Sequence, residues 1–393
     1  MKTNTLFLKP TLLIVVLMVM IISVNAQIDD DTVGIDFDKV QSMTSGDCEN
    51  CCPVYFSVLV DQDFFYIPKG LNEDRNYTQG TAFSTSSPNL HCTGSVFNRL
   101  LFTPLNLWDK VLKIMPFYSN NIWSEDLSST TLGGVAFTPD SLDTEQVVVG
   151  DRPFAFLLYL NTTRSYLNAT TNNRLNTFSV SYGIIGTGIG EAFQTWAHDE
   201  IVPSSPTPVG WVNQISDGGK FTFLLEYKQA NRTFIGGGNR MSLTYDFGGS
   251  VGHNTRLFGG STFRFSLLNR GLNQFTDFMW NNLLGSMNSV NALASSSVDN
   301  EFFLFAKANP YVTIRNSMLQ GQTYGNKDIY VIESEDVKRL VTTLSYGVGY
   351  SRINSNNGVF AIAYMLNHRT PEFSSTLYER WHYWGSVYLT FTI

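Results

Sequence analysis

The sequence predicts an all-β protein, a transmembrane antiparallel β-barrel of about twelve strands with a short helix on its outer rim. Three observations predict it. Apolar residues recur at every second position through most of the chain from Cys52 onward, the period of a strand with two unlike faces. Aromatic residues make up 14% of the chain and charged residues only 15%, against roughly 25% charged in soluble domains. After the leader no apolar run reaches about 18 residues, so spanning helices are excluded and a membrane crossing must rest on strands.

The leader comes first. Met1-Lys2 and Lys9 carry positive charge, an apolar run extends from Thr11 to Ile22, and Val24 and Ala26 stand three and one residues before Gln27. This is the layout of a secretory signal peptide over residues 1–26, cleaved after Ala26. A membrane anchor would need about 20 apolar residues, which this run lacks. The mature chain, roughly 367 residues, divides into a periplasmic N-terminal segment, 27–52, and a barrel, 53–393. The first part of that segment, 27–47, is acidic and polar and is expected to be loosely ordered.

The strands follow in order. Val54, Phe56, Val58 and Val60 form one face of the first. Phe178, Val180, Tyr182 and Ile184 alternate with Thr177, Ser179 and Ser181. Phe221, Phe223, Leu225 and Tyr227 alternate with Thr222 and Glu226. Met241, Leu243, Tyr245 and Phe247 alternate with Ser242, Thr244 and Asp246, and Phe263, Phe265 and Leu267 with Thr262, Arg264 and Ser266. Val387, Leu389, Phe391 and Ile393 close the chain. Strand cores are expected at 53–62, 77–86, 130–138, 152–162, 174–184, 219–230, 239–250, 258–268, 300–309, 338–351, 358–367 and 382–393. An even count returns both termini to one side of the membrane.

Two segments break the period. Residues 97–116 read as an amphipathic stretch interrupted at Pro104. Residues 87–129, which contain it, are long for a turn, and would cover the lower mouth or bind a partner. Residues 188–200 read as a short helix after a glycine-rich turn. Gly183, Gly186, Gly188 and Gly190 make that turn tight, and an exported barrel has no dinucleotide supply for a phosphate-binding loop.

With a periplasmic N-terminus, the distinctive polar clusters all fall at the outer rim: Asp61-Gln62-Asp63, Asp74 to Thr78, Gly150 to Pro153, and the helix with His198. Cys48, Cys51, Cys52 and Cys92 fall on the periplasmic side. Export favours disulfides there, although the Cys-x-x-Cys spacing also suits metal or redox sites. The net charge of −7 argues against a nucleic-acid partner. Trp196 and Trp211 are expected at the lipid interface, where Trp is enriched.

Histidine is the usual general base near neutral pH. Of His91, His198, His253, His368 and His382, only His198 lies on the expected helix among rim clusters. Gln194, four residues earlier, shares its face and would orient the imidazole or hold a water. Asp63 would fix the tautomer of His198 or ligate a hard cation. Thr78 would donate a hydrogen bond or line a pocket. Asp151 and Arg152 read as a cap of the strand start, with Pro153 needing no ladder donor; alternatively Arg152 would grip a lipid phosphate.

The rim segments resemble the outer-membrane lipid A deacylase family, enzymes that remove the 3′-linked acyloxyacyl chain. The resembling pieces are Asp74-Arg75-Asn76-Tyr77-Thr78-Gln79-Gly80, Gly150-Asp151-Arg152-Pro153-Phe154-Ala155, Gly183-Ile184-Ile185-Gly186 leading to Gln194 and His198, and Pro208-Val209-Gly210-Trp211 followed by Gln214. Pro371-Glu372-Phe373 and Gly385 through Phe391 also fit. They run in order over about residues 54–393. The resemblance implies a twelve-stranded barrel with its site between the wall and an outer helix. A His base would activate water, and calcium would help stabilise the oxyanion. The catalytic His then falls on His198, the preceding Gln on Gln194, the rim Thr on Thr78 and the Asn-Asp pair on Gln62-Asp63, with Asp61-Gln62 as the other register. Substrate contacts would include Arg152 and Asp151, and the metal ligand would be Asp63. The partners implied are lipopolysaccharide and the outer membrane, and a monomer is expected. The sequence departs from the family in three places. Gln62 replaces Asn, residues 139–150 contain no Lys, and the turn before the helix is one residue short. An esterase acting on another lipid, and a barrel serving as channel or adhesin, are the other functional readings.

Overall fold

In a computed structural model the twelve expected strands close into one antiparallel barrel. The structure describes residues 55–66, 76–87, 103–105, 123–168, 174–200, 206–235, 240–268, 277–281, 286–290, 299–325, 327–353 and 359–392. The leader, the 27–47 segment, the cysteines, His91 and Asp74-Arg75 lie outside them, as does most of 97–116.

The barrel strands are β1 (Tyr55–Gln62), β2 (Asn76–Ser87), β3 (Trp123–Thr138), β4 (Ala155–Asn168), β5 (Arg174–Ile185), β6 (Lys220–Ile235), β7 (Met241–Gly252), β8 (Asn254–Leu268), β11 (Asp299–Asn316), β12 (Leu340–Ile353), β13 (Val359–Arg369) and β14 (His382–Thr392). A separate hairpin, β9 (Asp277–Asn281) with β10 (Ser286–Val290), is inserted between β8 and β11. All other chain neighbours pair directly, and β1 closes on β14 with Tyr55 opposite Thr392. The start of β1 and the end of β14 therefore share one rim. The opposite, outer rim carries the connections after β1, β3, β5, β7, β11 and β13. No helix of the described residues is long and apolar enough to cross a membrane.

Alternation sorts the side chains into two environments. Inward hydroxyls and amides bond across neighbouring strands: Thr163 with Ser179 at 3.0 Å, Ser181 to Asn161 at 2.8 Å, Thr131 to Ser84 at 2.9 Å and Asn367 to Ser386 at 2.8 Å. Outward positions are apolar and exposed, among them Phe83, Leu132, Phe221, Phe223, Leu225, Phe247 and Phe263. A polar interior and an apolar outer belt satisfy the backbone and side chains of a barrel in lipid.

Two details differ from the sequence expectation. The strand expected to end at Asn309 runs on through Pro310 to Asn316. Pairing with β8 skips Asn309 and Pro310 between Ala308 and Tyr311, so the missing N–H of Pro310 costs no ladder bond there. Leu105 is buried against Tyr166, Phe178 and Val180. These three face outward by alternation, so this part of the long β2–β3 connection lies on the wall rather than across the mouth.

The interior beneath the outer rim is filled. Tyr77, Phe137, Leu157, Tyr159, Ile215, Leu224, Tyr311 and Trp384 form a buried cluster. Beside it lie three fully buried arginines, Arg152, Arg256 and Arg369. Arg152 donates to Glu372 at 2.7 Å, Arg369 and His382 each stand 3.6 Å from the same carboxylate oxygen, and Arg256 lies 3.8 Å from Glu226. The guanidinium groups also lie over rings, Arg152 4.1 Å from Phe137 and Arg369 4.7 Å from Trp384, an arrangement favourable to a partly dehydrated cation.

Candidate active site

The site is built on the outside of the wall, where β1, β2, β3 and β4 reach the outer rim. In β1, Asp61 faces the lumen and accepts a hydrogen bond from Tyr77 at 2.7 Å. The next residue, Gln62, therefore faces outward, opposite Gln79 of β2. Asp63 then opens a single 3-10 turn, Asp63–Phe65, and is buried. The structure thus separates the two registers of the sequence. Asp61 belongs to the interior, whereas Gln62 belongs to the outer wall and Asp63 to the rim immediately after it.

In β2 a register shift between Tyr77 and Gln79 leaves Thr78 as the extra residue of a bulge. A bulge re-aims side chains without ending the strand. Tyr77 stays inward and Gln79 turns outward, while Thr78 Oγ1 lies 2.6 Å from Thr138 Oγ1 at the end of β3. Thr78, Gln79 and Gln62 are all buried. They sit at a rim, so other parts of the protein cover them.

Helix α1 (Ile189–Glu200) supplies the other wall. Gly186 turns the chain after β5 with φ of 86°. A Cβ there would stand 2.0 Å from the Ser216 carbonyl oxygen, so the turn requires glycine. Gly190, Gln194 and His198 recur every four residues and make one stripe of α1. Phe156 of β4 points outward, since Leu157 and Tyr159 belong to the interior cluster, yet it is only 5% exposed. Gly190 lies on it, because a Cβ at Gly190 would be 2.7 Å from Cβ and Cγ of Phe156. The helix therefore lies flat on the outer face of the wall with Gln194 and His198 on its buried side. Its opposite stripe, Ile189, Phe193 and Trp196, is exposed, which suits contact with lipid.

Gly190→Ala is expected to push α1 off the wall at an overpacking cost of about 1–3 kcal/mol and to lower the thermal midpoint of the barrel. Adding Phe156→Ala should recover much of the loss. A midpoint of the double variant below that of the single would count against this packing.

His198 is 6% exposed, and its Nδ1 lies 2.6 Å from the Pro206 carbonyl oxygen. A carbonyl accepts only, so Nδ1 carries the proton and Nε2 is the basic nitrogen of the neutral ring. The other described histidines stand elsewhere. His253 holds the Phe223 carbonyl at 3.0 Å in the β7–β8 turn, and burial pushes its pKa down to about 4. His368 lies between the hydroxyls of Tyr66 and Tyr346 at 3.3 and 3.1 Å, and His382 belongs to the Glu372 cluster.

Two sequence-predicted residues are engaged elsewhere. Asp151 is fully buried and ties loops together, accepting from the Asp140 and Arg152 amides at 2.7 Å each and pairing with Arg380 at 3.1 Å. The Arg152 guanidinium turns into the interior toward Glu372, away from the helix. Trp211 also departs from expectation. It does not sit at the lipid interface but is fully buried with Ala136, Leu142, Phe154 and Phe156, whereas Trp196 is 51% exposed. The indole N–H of Trp211 donates to Gln194 Oε1 at 2.8 Å. Its place in the cluster is visible only once the helix is laid on the wall.

The comparisons with known proteins agree with this architecture. Residues 14–393 match the family model described as outer membrane protein LpxR. Among solved structures, LpxR from Salmonella typhimurium is similar with a TM-score of 0.61 and 15% identity, over 86% of this chain and all of that one. The β domain of the Bordetella autotransporter BrkA aligns over 88% of this chain and all of its own, at 6% identity and a TM-score of 0.36. No curated protein sequence matches. With the family model spanning nearly the whole sequence and the twelve-stranded barrel closed as described, the chain belongs to the LpxR family of outer membrane proteins.

Proposed function

We propose that this protein is a lipid A deacylase, exported by its N-terminal signal peptide, that hydrolyses an ester-linked acyl or acyloxyacyl chain in the outer leaflet. The observation that carries the reading is the buried face of α1, where Gln194 and His198, the latter with a basic Nε2, are turned toward the wall. Water gives a proton to Nε2 and attacks the ester carbonyl, and the collapse of the tetrahedral species releases a carboxylic acid and leaves a hydroxyl on the lipid. Thr78 and Gln62, buried at the same outer rim, would line the wall side of the site. The exposed Ile189, Phe193 and Trp196 let the substrate remain in the membrane while its ester enters sideways.

The Asp63 carboxylate and the Gln62 amide carbonyl offer oxygens, which suit a hard cation such as calcium. Asp63, with Gln62, would hold it, and bound there it supplies positive charge beside the ester oxygen. Among the described residues no three His, Cys, Asp or Glu side chains cluster for a metal. A site with so few carboxylates is expected to bind in the range of about 10⁻⁴–10⁻³ M. Chelation with EGTA should stop ester release, and calcium in that range should restore it and raise the thermal midpoint of the barrel. Unchanged release in EGTA would remove calcium from the account.

The filled interior under the rim favours an enzyme over an open channel, since Trp384, Arg152, Arg369, Tyr159 and Phe137 occupy the path. The test is release of fatty acid from purified lipopolysaccharide by the detergent-solubilised barrel. Release of an ester-linked chain supports the deacylase. Release from phospholipid alone would move the substrate to another outer-leaflet ester. Ion conductance without release would favour the channel.

A further inference from the structure

Gln194 is an amide with two unlike ends, and the structure fixes which end faces which way. Trp211 can only donate, and its Nε1 lies 2.8 Å from Gln194 Oε1. The amide oxygen is therefore turned to the indole and the NH2 group away from it. Trp211 is itself held. It is fully buried, its ring centroid is 5.0 Å from that of Phe154, and it sits in the turn Gly210–Asn213. Gly210 makes room for that turn, since a Cβ there would lie 2.4 Å from Phe154. The pairing joins two segments 17 residues apart, on the outer face of the wall.

We infer that Trp211 is a positioning residue of the hydrolytic site: it locks the Gln194 amide so that the NH2 group donates to the developing oxyanion. The inference rests on the deacylase reading and assigns within it a donor that neither residues 139–150, which contain no Lys, nor Arg152, which is committed to Glu372, supplies. A locked amide needs no reorganisation as charge develops, which is the source of oxyanion-hole catalysis. It also divides the labour along one helical turn. His198 takes the proton from water, and Gln194 stabilises the oxygen of the carbonyl under attack.

The test is steady-state hydrolysis of lipopolysaccharide by the full-length barrel and its Trp211→Phe, Gln194→Ala, Gln194→Glu and Trp211→Phe/Gln194→Ala variants. Folding is checked by heat-modifiable gel mobility. Gln194→Ala should lower kcat by about 10²-fold, the cost of one oxyanion donor, with little change in KM. Gln194→Glu, which keeps an acceptor for the indole but offers no N–H, should fall equally far. Trp211→Phe should lower kcat by roughly 10-fold and add nothing in the Gln194→Ala background, as coupled residues do. Equal losses from Trp211→Phe in both backgrounds would make the indole a packing group only and overturn the assignment. Activity retained by Gln194→Glu would overturn it as well, and that variant keeps Trp211 in place. A wild-type barrel inactive on lipopolysaccharide would overturn the deacylase reading and this assignment together.

Discussion

His198→Ala is expected to lower ester hydrolysis by on the order of 10²–10⁴-fold, the usual contribution of a positioned general base, while the barrel stays folded. The ring hangs from a helix that lies outside the wall, with its Nδ1 on the Pro206 carbonyl, so its loss does not open the interior. Rate loss should fall on kcat rather than KM, because the base acts in the transition state. His198→Asn, which can keep a donor for Pro206 but has no comparable base, should be as impaired as Ala. His253→Ala should leave the rate little changed, since that residue caps a turn between β7 and β8. A His198→Ala barrel with near wild-type kcat would place the base elsewhere.

The second large effect is structural. Glu372→Gln should destabilise the rim by about 3–5 kcal/mol, because Arg152 and Arg369 would keep buried charges with no carboxylate between them. The same group sets an acid limit. Burial alone would raise its pKa, but Arg152, Arg369 and His382 outweigh that and hold it at about 2, below its ordinary 4.5. A carboxylate with a depressed folded pKa stabilises fully above the unfolded value. That stability is lost as pH falls from about 4.5 toward 2, and amounts to about 3 kcal/mol. Urea unfolding in detergent should show wild type losing stability in that window and Glu372→Gln losing less. Identical curves would mean the cluster contributes nothing. Replacing the carboxylate and both arginines with apolar side chains, Glu372→Leu with Arg152→Met and Arg369→Met, should recover much of the loss, as buried ionic triads often allow.

The barrel was legible in the sequence because its physics is local. A strand crossing lipid must alternate, and segments such as Phe221 to Tyr227 do so without interruption. The side on which each polar cluster falls followed from strand parity alone. Within the site, the i, i+4 spacing placed Gln194 and His198 on one face, and Gly190 completes that stripe. What could not be read was set by packing across distant segments. The bulge at Thr78 depends on the register with β3. The choice between Asp61 and Asp63 depends on which way β1 faces when closed on β14. Arg152 looked like a rim cation because its partner Glu372 lies 220 residues away. Trp211 looked interfacial because nothing near it in sequence reveals the pocket made by Phe154, Phe156 and Ala136.

The measurement that reaches the central claim most directly is mass spectrometry of lipid A from Gram-negative cells expressing this chain, beside cells expressing His198→Ala. The account predicts a mass loss equal to one ester-linked acyl or acyloxyacyl group in the first culture and none in the second, with both barrels inserted. Unchanged lipid A in the presence of correctly inserted wild-type protein would contradict it.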